Sequence, residues 1–107
     1  MKVQQNITAI IYTKRGKVLA IGKNSYIRTS RLQRYHATKV GRPLATYCHA
    51  EIHAIQQCAD LSKAHRIEVT RRLANGKTGL AKPCKICDSA IKAAGIKVVQ
   101  WSVTEEE

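Results

Sequence analysis

An α/β sandwich with a central sheet is the fold class this sequence predicts. Three observations carry it: short β-branched runs, two segments with apolar residues near a 3.6-residue period, and the alternation of strands with helices in the second half. The predicted order is β-β-(irregular)-α-β-α-β, in which each strand–helix–strand step requires a crossover connection. With 107 residues and a hydrophobic share of 44%, the chain fits one globular domain spanning 1–107.

The first two strands are Ile7-Thr8-Ala9-Ile10-Ile11-Tyr12 and Lys17-Val18-Leu19-Ala20-Ile21-Gly22. The polar Thr13-Lys14-Arg15-Gly16 between them marks a β-hairpin. Residues 23–47 are basic and irregular, broken by Gly41 and Pro43. Within them Ser30 to Val40 is expected to form a short helix with Leu32, Tyr35 and Val40 inward. Helical spacing resumes from Cys48 to Lys63, carried by Ala50, Ile52, Ala54, Ile55, Cys58, Ala59 and Leu61. Arg66 to Leu73 alternates polar and apolar, as a strand does, and Asn75 to Gly79 reads as a turn or loop. Pro83 suits the first turn of a second helix, where its missing N–H costs nothing, and Gly95 suits its C-terminal stop. Ile96 to Val103 reads as the last strand, and Thr104 to Glu107 as a frayed tail.

Charge is unevenly placed. The formal net charge is +12, yet residues 1–50 hold ten Lys or Arg and no acid, whereas residues 51–107 hold nine basic and seven acidic residues. Either an anionic partner or a merely solubilising surface accounts for this. Tyr26, Tyr35 and Tyr47 interleave with Arg28, Arg31, Arg34 and Arg42, as in a surface that stacks bases and binds phosphate, or in a basic loop with packing tyrosines. No apolar run approaches the roughly 20 residues needed to span a bilayer, so no membrane association is expected. The polar start carries no signal-peptide pattern, which points to an intracellular, cytoplasmic protein with reduced cysteines.

Two motifs carry chemistry: His49-Ala50-Glu51 and Pro83-Cys84-Lys85-Ile86-Cys87, each at the head of a predicted helix. Cys84 and Cys87, three apart on a first turn, aim both sulfurs to one side. Two thiolates and the His49 imidazole make a three-ligand zinc set that leaves one position open, as catalytic sites do. Helix N-termini nearby favour thiolate over thiol. Glu51, two residues past His49, points differently from the ligand and can serve as the proton carrier. A purely structural reading, with Cys48 as a fourth ligand, leaves Glu51 without a role. Cys48 and Cys58 otherwise read as small buried hydrophobes, and His53 as a packed or solvent-facing histidine outside the metal set. His36 and His65 show no partner, and Trp101 reads as core or edge packing.

His-x-Glu followed by Pro-Cys-x-x-Cys resembles the cytidine deaminase-like superfamily of zinc deaminases from about Ile7 to Trp101. The run Cys48 to Ile55 looks most like the deoxycytidylate and tRNA-adenosine deaminase branches, and Ala81-Lys82-Pro83-Cys84 is similar to small phage-encoded members. If the chain is phage-encoded, its compartment is the host cytoplasm. The resemblance implies a three-layer α/β/α sandwich with a central mixed sheet. It also implies zinc on His49, Cys84 and Cys87, and Glu51 as proton shuttle. Asn24 stands where the family holds the sugar, although it is equally a sound turn residue. With it, Ala50, Arg28 and Tyr47 are the candidate substrate contacts. The resemblance implies a helix before the hairpin, which is expected to be missing or displaced here because the first predicted strand opens at Ile7.

The expected activity is hydrolytic deamination of a cytosine nucleoside or nucleotide. Action on cytosine or adenine within single-stranded DNA or RNA is the alternative. A non-enzymatic, zinc-stapled nucleic-acid-binding module is a third reading. The family often completes its sites at oligomer interfaces, so a homo-oligomer is also expected.

Overall fold

In the computed structural model, residues 6–25, 27–45 and 47–104 are described. Tyr26, one of the interleaved tyrosines, lies outside them, as do residues 105–107 of the expected frayed tail. Strands β1 (Asn6–Tyr12) and β2 (Val18–Lys23) form the expected antiparallel hairpin. Its loop closes through the Thr13 N–H to Lys17 carbonyl bond, and Gly16 supplies a φ of 89°, a conformation that side chains disfavour. β1 pairs on its other side with antiparallel β3 (Arg66–Arg72). β3 in turn pairs in parallel with β5 (Val98–Trp101) and, at its far end, with the two-residue β4 (Thr78–Gly79). The result is a mixed five-stranded sheet in an α/β fold. The turn expected at Asn75 to Gly79 thus contributes a short strand as well.

Side-chain alternation decides which sheet face bears the core. Ile7, Ala9 and Ile11 of β1 share a face with Ile67 and Val69 of β3, and helix α2 (Ala50–Gln57) covers it. The fit is close at one point. A Cβ on Gly22 would lie 2.2 Å from the Ala54 nitrogen and 2.3 Å from the Ala50 carbonyl oxygen. Only glycine lets β2 approach the α2 backbone so nearly. Helix α3 (Lys85–Ala93) packs on α2 and carries the crossover from β3 to β5, and α1 (Arg31–Lys39) packs on α3. The opposite sheet face, with Ile10, Tyr12 and Ile21, is only partly covered.

Three expectations require correction. The α1 helix forms where expected, with Ser30 as its N-cap, but Tyr35 is 63% exposed. Gln33, His36 and Ala37 fill the inward face instead, while Leu32 and Val40 pack at its margin. The polar pair can be buried because each member finds a hydrogen-bond partner, His36 Nδ1 lying 2.9 Å from Ser89 Oγ of α3. The helix expected through Lys63 stops at Gln57, where Cys58 turns extended. The Asp60 side chain accepts from the Ser62 N–H and starts a separate 3₁₀ turn (Leu61–Lys63). Pro83 precedes the α3 N-cap rather than sitting in the first turn, since the first intrahelical bond runs from the Asp88 N–H to the Cys84 carbonyl. Gly95, with φ 78°, ends α3 as expected.

Burial, helped by Lys39, holds the His36 imidazole below its ordinary value of 6.5. The unfolded chain therefore takes up this proton first as pH falls. Stability rises with pH between the folded and unfolded values, and the loss begins as pH drops through about 6.5. Urea denaturation at pH 5 and pH 8 should show the acid state weaker, and His36→Gln should shrink the difference. An undiminished difference would assign it to other groups.

Candidate active site

His49 and Cys84 occupy matching positions in the fold, as N-caps of α2 and α3. Both have extended backbone, and neither side chain makes a capping bond, so both face outward from their helix ends toward each other. His49 Nδ1 lies 3.5 Å from Cys84 Sγ and 3.3 Å from Cys87 Sγ. Among the described residues these three form the one group whose donor atoms converge, all within 4.8 Å of one another. One imidazole nitrogen and two sulfurs are the borderline-soft donors that zinc takes, so the set fits that ion. The three groups strongly shift one another's proton affinities. The hydrogen bond from the Cys87 thiol, with His49 beside it, draws Cys84 down to about 3, and Cys84 in turn raises His49. Cys87, donating to that thiolate and buried, is pushed up.

Glu51 lies in the first turn of α2 and is only 5% exposed. Burial raises its carboxyl above the usual range, against the pull of its own backbone N–H, Cys87 and His49. A carboxyl whose proton affinity is raised in this way is a stronger base than an exposed one, as a proton carrier requires.

A cavity of about 480 Å³ opens on this group, within the size range of small-molecule sites. His49, Glu51 and Cys84 line it, with Asn24, Tyr47 and Ala50. Cys87 lies behind them, fully buried. Asn24 Oδ1 accepts the Ile7 N–H (3.1 Å), joining the end of β2 to the start of β1. Arg28 stands apart: it is exposed, does not line the cavity, and reaches His53 at 3.5 Å. His53 stays outside the donor group, accepting the Lys23 N–H through Nδ1. Cys48 is buried and Cys58 half-buried, both as free thiols.

Sequence reasoning missed three residues. Gln33, fully buried on α1, donates to the Ala45 carbonyl (3.0 Å) and accepts the His49 N–H (3.2 Å). It thereby fixes the backbone of a donor residue from a helix 16 positions away. Arg71 and Lys82 also line the cavity. Arg71 had a legible signal, because a charge follows Ile67 and Val69 at an inward position of β3. Gln33 had none, since its partners become neighbours only in the folded chain.

The family model for the cytidine and deoxycytidylate deaminase zinc-binding region matches residues 2–103. The chain belongs to that deaminase family, and His49, Cys84 and Cys87 are the group that could hold its metal. A search of curated proteins found no match. No helix among the described residues is long and apolar enough to cross a membrane.

Proposed function

We propose that the protein is a zinc-dependent hydrolytic deaminase converting a cytosine nucleoside or nucleotide to its uracil form, with release of ammonia. The observation that carries this reading is Glu51, among the described residues the one carboxylate lining the cavity, buried beside the His49, Cys84 and Cys87 group. His49, Cys84 and Cys87 would hold the zinc, which would supply Lewis acidity toward the attacking water. Water adds to C4 of the base, the bond from C4 to the exocyclic nitrogen breaks, and ammonia leaves. Glu51 takes the proton from the water, passes it to the ring nitrogen, and assists departure of the amine. Asn24 and Tyr47 both line the cavity, and we assign the sugar contact to the first and the base contact to the second. Ala50, the first residue of α2, offers a backbone N–H that no intrahelical carbonyl can satisfy.

A specific observation favours a second reading, deamination of a base within a single strand. Helix α1 presents Arg31, Arg34, Tyr35 and Lys39 around one open groove, in a half of the chain with no acid before Glu51. An ammonia-release panel with cytidine, deoxycytidine, dCMP, single-stranded DNA and RNA tests both readings. Deamination of a mononucleoside or mononucleotide supports the first. Strand-only activity, weakening steeply with salt as counterions are released, supports the second. No ammonia from any cytosine compound by the zinc-loaded protein would overturn the first.

A further inference from the structure

We infer that Arg71, with Lys82 at the rim, is an anion site that makes this cavity selective for a cytosine base carrying a 5′-phosphate. The inference rests on the deaminase reading above and deepens it. Residues 67, 69 and 71 of β3 alternate onto the face covered by α2, so Arg71 continues the inward row of Ile67 and Val69. A guanidinium at such a position calls for an acceptor. Its Nε is buried, yet among the described residues no hydrogen-bond partner meets it. Buried donors in native proteins are nearly always paired, and this one belongs to a residue that lines the cavity.

Among the described residues, the surroundings hold Arg71 in place without neutralising it. Its backbone N–H donates to Ser102 Oγ (3.0 Å), and that hydroxyl donates to the Gly79 carbonyl (2.6 Å). Gly79 leaves room for the side chain, since a Cβ there would stand 3.2 Å from Arg71 Cδ and 2.9 Å from Leu73 Cδ2. Lys82 lines the same cavity, with Nζ 5.9 Å from the centre of the Trp101 ring, at the outer limit of a cation–π contact. Two cations thus share a cavity in which, among the described residues, Glu51 beside His49 is the one lining carboxylate. A neutral nucleoside leaves that imbalance unanswered, whereas a phosphate supplies both charge and acceptors, and a guanidinium binds phosphate through paired bonds.

The test compares zinc-loaded wild type, Arg71→Met, Arg71→Lys and Lys82→Met with deoxycytidine, dCMP and a short single-stranded oligonucleotide. Rates are measured on these proteins. Equilibrium binding is measured on the same set carrying Glu51→Gln, which prevents turnover. Wild type should favour dCMP over deoxycytidine. Arg71→Met should reduce that preference about 10- to 100-fold, the size of hydrogen bonds to a charged group, with partial recovery in Arg71→Lys. If Arg71→Met fails to fold, Arg71→Lys and Lys82→Met report the same ratio. An oligonucleotide that matches dCMP and shares its Arg71 dependence would place a strand phosphate on the same site. No preference for phosphate in wild type, or an equal loss for deoxycytidine and dCMP in the variants, would overturn the proposal. Should no compound be deaminated while dCMP binding keeps its Arg71 dependence, the activity reading fails and the anion site stands.

Discussion

Glu51→Ala is expected to keep the fold and the metal while losing turnover by about 10⁴-fold, the upper end for a general acid–base group. The upper end applies because one carboxyl is asked to serve several proton transfers in a cavity where, among the described residues, no second acid lines the walls. Its burial matters as much as its identity. At 5% exposure, burial raises the carboxyl above its ordinary value and makes it a stronger base than an exposed carboxylate. Glu51→Gln is the sharper control, since it preserves volume and hydrogen bonding but carries no exchangeable acid proton. Both variants should match wild type in zinc content and circular dichroism. Either one retaining more than about a tenth of the activity would move the proton-carrying role elsewhere.

The second large effect is expected from the sulfurs. Cys84→Ala and Cys87→Ala should each lose the metal and lower Tm, because the donors join the head of α2 to the head of α3. A ligand present at a thousand times its Kd adds about 4 kcal/mol to a folded state that alone binds it. For a domain near this size that corresponds to a fall in Tm of about 15 °C or more when binding is abolished. A chelator should reproduce the fall in wild type and leave the variants unmoved. Zinc retained stoichiometrically in both variants would remove His49, Cys84 and Cys87 as the binding group.

Local signals reached the hairpin, β3 and the end of α3, where alternation, Gly16 and Gly95 state their own geometry. The donor group was legible for a different reason. His49 and Cys84 sit at helix starts, and the onset of apolar residues at helical spacing marks such a start in the sequence. Polar residues whose value depends on distant partners escaped. Gln33 and His36 look like solvent-facing positions until Ala45, His49 and Ser89 arrive, and only then does their burial become favourable. Arg28 shows the converse. Its place in a basic segment leading to His49 suggested a substrate contact, yet the chain carries its side chain past the cavity toward His53.

Ser102 carries a consequence for engineering the protein. One hydroxyl receives the Arg71 N–H and donates to the Gly79 carbonyl, while the Ser102 carbonyl accepts the Ala81 N–H. This residue, just past β5, therefore latches the segment that forms one wall of the cavity, although it touches none of the candidate metal donors. A trimmed variant cut back through Ser102 would keep His49, Glu51, Cys84 and Cys87 intact and still lose the latch. Any segment fused directly after Ser102 needs a spacer long enough to leave that residue seated.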